Sequence, residues 1–101
     1  MESDWKKFRV LVPVLRERYL ADHNARIARI LTDPTKTETE RFWDAMDEME
    51  KVAKTLRECL DGHSRSKMWL YLLTMRGVGM LEGEDLAGFS EELQKEIFDK
   101  E

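Results

Sequence analysis

Apolar residues recur at every third or fourth position along most of this chain, and nowhere do they alternate convincingly with polar ones. That period belongs to amphipathic helices, and no strand is needed to explain it. Trp5, Phe8, Leu11, Val12, Leu15 and Tyr19 mark a first helix, capped by Ser3 or Asp4. Its pattern runs on through Ala25 or Ile27, Ala28 and Leu31 until Thr32-Asp33-Pro34 stops it. Pro13 interrupts the stripe. A mid-helix proline removes a hydrogen bond and crowds the preceding turn. The expectation is therefore either a kink at Pro13 or a helix starting near Val12, which would leave residues 4–11 as a separate arm.

A second helix is capped by Thr35, Thr37 or Thr39, and Thr37 with Glu40 forms a capping-box pattern. Phe42, Met46, Met49, Ala53, Leu56 and Leu60 step by four and three in turn, which makes a heptad seam. Trp43, Val52 and Cys59 widen it to the breadth of a helix packed inside a bundle. Asp61-Gly62 ends the helix, with Gly62 suited to a left-handed cap. The short link to Ser64 predicts that the next helix is an antiparallel neighbour. That third helix spans about residues 65–76 and is apolar at every position from Met68 to Met75 except Thr74. A segment with so little polar face is expected to be covered on all sides. Gly77 and Gly79 stop it, and Met80-Leu81 tucks back onto the core. The last stretch reads as one bent helix or two short ones, with Leu86 and Phe89 together and Leu93, Ile97 and Phe98 facing inward after Ser90.

The predicted fold is all-α: a small antiparallel bundle of four to five helices around the central apolar helix, forming one domain over residues 1–101. Two Pro and five Gly in 101 residues agree with long elements and few turns. Three Trp among the aromatic residues are a heavy load for one small core. A homodimer is therefore expected, with Phe42, Met46, Met49, Leu56, Trp69, Leu72 and Leu73 as core or oligomer contacts.

Charge alters this picture in places. The formal net charge is -4, which disfavours a general nucleic-acid binder. Residues 82–101 carry eight acids and two bases, whereas residues 62–81 carry Arg65, Lys67 and Arg76 and no acid. The acidic end suggests a docking surface for a basic protein partner through Glu84, Asp85, Glu92 and Glu96. His63, Ser64, Arg65 and Lys67 at the start of the third helix suggest an anion site, although the glycine-rich run of a Walker loop is missing. The plainer alternatives are a solvated acidic face and a Ser64 cap.

No catalytic residue, metal or cofactor is expected. Cys59 and His63 lie four apart with Asp61 between, but Gly62 breaks the helix there, and Cys59 sits on the apolar side as a small hydrophobe. His23 and His63 have no ligand-spaced partner. Asp44 and Glu48 are like charges one turn apart, unfavourable unless a cation or basic partner relieves them. One cysteine excludes an internal disulfide. With Glu2, Asp4, Lys6 and Lys7 at the start, no leader peptide or membrane span is expected, and the chain reads as cytoplasmic. The leading expectation is a non-enzymatic interaction or regulatory module that binds a partner through the acidic end or an aromatic patch. The alternatives are a nucleic-acid-associated regulator, using the basic residues of helix one and the start of helix three, and then an enzyme.

Overall fold

The computed structural model describes residues 2–98. They form α1 (Glu2–Leu31), α2 (Glu38–Leu60), α3 (Met68–Gly77) and α4 (Glu91–Phe98). Short 3-10 turns at Arg65–Lys67 and Gly83–Leu86 precede the last two. No strand occurs among the described residues, so the domain is all-α and its helices build a small bundle.

α1 runs unbroken through Pro13, which excludes a helix that begins near Val12. Pro13 is exposed, so its ring points to solvent, and water can serve the Arg9 carbonyl that has lost its helical donor. The capping box forms as read: the Glu40 amide donates to Thr37 Oγ1 at 3.1 Å, and the Thr37 amide donates to Glu40 Oε1 at 2.9 Å. Gly62 takes a φ of +71°, the left-handed turn that ends α2. The third helix starts later than expected, because Arg65–Lys67 is wound as a 3-10 turn.

The core gathers at one end of the molecule. Phe8, Val12 and Leu15 of α1 meet Cys59 and Leu60 of α2, Leu72 and Met75 of α3, Met80, Leu81, Leu86 and Phe89 of the connecting turns, and Leu93 and Ile97 of α4. Two polar ties close this end. Asp4, only 4% exposed, accepts from the Ser90 amide at 2.8 Å and from Ser90 Oγ at 2.7 Å. Ser90 Oγ in turn accepts from the Leu93 amide and caps α4. Arg18 forks onto both carboxylate oxygens of Asp85, at 2.9 and 2.7 Å, and donates to the Met80 carbonyl.

Beyond Tyr19, α1 and α2 continue as a two-helix arm. Only Ile27, Ala45 and Val52 are buried in that part. The molecule consequently measures 52 × 26 × 21 Å. Its radius of gyration is 16.5 Å, against about 13 Å for a compact chain of this length.

Full enclosure of α3 is not observed. Met68, Leu72 and Met75 are buried, but Trp69 is 49% and Leu70 50% exposed. The 97 described positions cover α3 on one side only, from α1, α2 and α4.

Candidate interaction surface

α2 presents two apolar strips. The strip facing α1 is Ala45, Val52 and Cys59, buried and seven residues apart. These are small side chains, and small residues let two helix backbones approach closely. The larger residues of the heptad seam lie to one side of that line. At 100° per residue, Phe42, Met46, Met49 and Ala53 span only about 60° of arc. Phe42 is 51% and Met49 48% exposed, while Met46 and Ala53 are half-buried. Trp43, 58% exposed, stands edge-on to Phe42 with ring centroids 4.9 Å apart. Leu31 at the tip of α1 is also exposed.

Among the residues expected as core or oligomer contacts, Leu72 is buried, and Leu56, Leu73 and Met46 are half-buried. Phe42, Met49 and Trp69 belong to no core of this chain, because α1 and α4 reach only the neighbouring faces of α2 and α3.

The basic residues at the start of the third helix do not converge. His63 turns inward between Phe8 and Tyr71, with Nε2 2.7 Å from the Cys59 carbonyl oxygen. Arg65 pairs with Glu2 at 2.9 Å and lies over the Trp5 ring. Ser64 makes no side-chain cap, and Lys67 is exposed. Cys59 is fully buried, and desolvation pushes its thiol above the ordinary range, which opposes thiolate chemistry.

The acidic residues separate as well. Asp85 is held by Arg18 and accepts from the Glu82 amide at 2.8 Å, so its carboxylate is consumed inside the fold. Arg18 holds it below its ordinary pKa. Glu84 is exposed on the same turn, whereas Glu92 and Glu96 lie on α4 beside Trp69 and Arg65. Asp99 and Glu101 of the acidic end lie outside the described residues. Of Asp44 and Glu48, the first is paired with Lys36 at 3.1 Å, while Glu48 lies 3.6 Å from His23 Nδ1, which makes no hydrogen bond among the described residues. Among the described residues, no group of three or more His, Cys, Asp and Glu side chains is placed to hold a metal ion. No helix there is long and apolar enough to cross a membrane.

One surface was missed in the sequence pattern. Val10 and Val14, 73% and 55% exposed, border a groove with Leu11, Phe89, Lys6 and Lys7. Two valines one turn apart, off the main stripe of α1, were the available signal. The groove is open and apolar, and Lys7 is already bonded to Ser3.

Comparison of the chain with protein-family models, curated proteins and solved structures finds no match.

Proposed function

We propose that this protein is a non-enzymatic helical interaction module that joins to a second copy of itself through the apolar flank of the α1–α2 arm. The exposed seam on α2 carries this reading. Phe42 and Trp43, each more than half exposed, leave on the order of 200 Å² of aromatic surface open between them. Met49 and Leu31 extend it. Large apolar side chains gathered on one exposed strip favour an interaction face over a solvated one. The elongated shape supports the same reading, because an arm carrying so little core gains most by packing against another helix pair.

The acidic end is less suited to the role. Asp85 is already bound to Arg18, and the remaining carboxylates are spread over a turn and α4.

The test is to replace Phe42 and Met49 together with Asp and follow sedimentation. Both are half exposed, so the variant is expected to keep its helix content and to lose self-association by about 100-fold or more. Unchanged association would remove the arm from the interface.

A further inference from the structure

At the core end, the groove beside Val10 and Val14 has a polarity of its own. It lies between the first half of α1 and the turn that carries Asp85, Gly88 and Phe89, with a volume of about 740 Å³. Volumes of that order hold small ligands. Its two walls run in opposite directions. Ser90 meets Asp4, Gly88 faces the stem of Lys7, and Asp85 meets Arg18. Gly88 brings no side chain to its wall, and a Cβ placed there would come within 3.6 Å of Lys7 Cε.

The charge along the groove is uneven. Its charged lining residues are Glu2, Lys6, Lys7 and Asp85. Both carboxylates are taken up by arginines outside the lining, Glu2 by Arg65 at 2.9 Å and Asp85 by Arg18 at 2.7 Å. Neither lysine has a carboxylate within 4 Å among the described residues, and Lys7 donates to the neutral Ser3 hydroxyl. Two uncompensated cations therefore stand at one end, and Val10, Leu11 and Val14 lead away from them. The far end is acidic. Glu17 stands three residues past Val14, and Glu82 and Glu84 lie close enough to Arg18 to act on its charge.

We propose that this groove binds a free single-chain amphiphile with a carboxylate head, the head at Lys6 and Lys7 and the hydrocarbon tail along Val10, Leu11 and Val14. The charge distribution selects this occupant. A carboxylate at the lysines meets the uncompensated charges of the lining. An acidic helix of another protein carries carboxylates along its length, and those at the far end would be repelled by Glu17, Glu82 and Glu84. A hydrocarbon tail brings no charge there. The lengths agree as well. Lys6 to Val14 is a helical rise of about 12 Å. An extended hydrocarbon advances about 1.3 Å per bond, so a tail of about nine carbons spans it. The groove shares no residue with the flank of the arm, so its occupancy stands apart from self-association.

Calorimetric titration of the full chain at neutral pH with decanoate, hexanoate and decyltrimethylammonium, each below its micelle concentration, tests the site. Decanoate is expected to bind once per chain. Hexanoate should bind about 10-fold or more weakly, because each half-covered methylene contributes roughly two-fold. The decyl cation should also bind about 10-fold or more weakly, although the net charge of -4 would favour it in any non-specific association. Lys6→Glu and Val10→Asp, both at exposed positions, should each lower decanoate affinity by about 10-fold with the helical circular dichroism signal unchanged. Absence of saturable decanoate binding would overturn the proposal. So would equal affinity for hexanoate or the decyl cation, or decanoate binding that either variant leaves unchanged.

Discussion

At the scale of single residues, two carboxylates decide how the core end holds together. Asp4 has both oxygens bonded to Ser90, 86 positions away in the chain. Its removal strips the Ser90 amide and hydroxyl of their partner and loosens the cap of α4. Asp4→Ala is expected to cost about 2–3 kcal/mol in urea unfolding; a loss under about 0.5 kcal/mol would mean that water replaces Asp4 freely. Asp85 differs because it is tied to a cation. Its bond to Arg18 lowers the folded pKa below the ordinary 3.8, so its contribution is complete above that value and is lost as pH falls through the lower folded one. The stability gap between the wild type and Asp85→Asn should be widest above pH ~5 and narrow toward pH ~2. A gap of constant size across that range would deny the ion pair its role. Asp4 was read from the sequence only as a helix cap, and Asp85 as an exposed partner residue. The partners Ser90 and Arg18 lie 86 and 67 residues away, beyond any local pattern.

At the scale of elements, local chemistry was legible and sidedness was not. The capping box at Thr37 and Glu40 and the left-handed Gly62 followed from short-range rules and are observed. The late start of α3 reflects a 3-10 turn with no side-chain cap at Ser64. The heptad seam of α2 was also a real feature, but periodicity does not say which edge of a broad stripe meets the neighbour. The α1-facing edge went to Ala45, Val52 and Cys59, whose small side chains permit close approach, and the bulkier edge stayed open. α3 shows the same effect with Trp69 and Leu70. Substituting an open edge should therefore spare the fold. Apart from the stability lost with the dimer contact, the Phe42→Asp, Met49→Asp double variant is expected to shift the stability of the single chain by no more than about 0.5 kcal/mol per site. Circular dichroism melts can check this: a collapse of the helical signal at all concentrations would show that these residues belong to the chain's own core after all.

The whole molecule is a core end with a projecting helical arm. Fold class followed from the helical period and from the scarcity of Pro and Gly. The demand for extra cover was sensed from the aromatic load, but it was placed chiefly at the third helix. The structure adds a longer open strip on the arm, because α1 beyond Tyr19 offers α2 only Ile27 as a buried residue. That asymmetry depends on the tertiary placement of α3 and α4 against the first half of α1, which no local spacing encodes. It also sorts the surfaces: the acidic residues are scattered, the basic residues diverge with His63 inward and Arg65 and Lys67 outward, and the arm keeps exposed apolar side chains on one flank.

The central claim is that this flank joins two copies, and mass in solution tests it most directly. Sedimentation equilibrium of the unmodified chain over a wide concentration range is expected to approach twice the 12.0 kDa chain mass. A mass of 12.0 kDa at every concentration would contradict it.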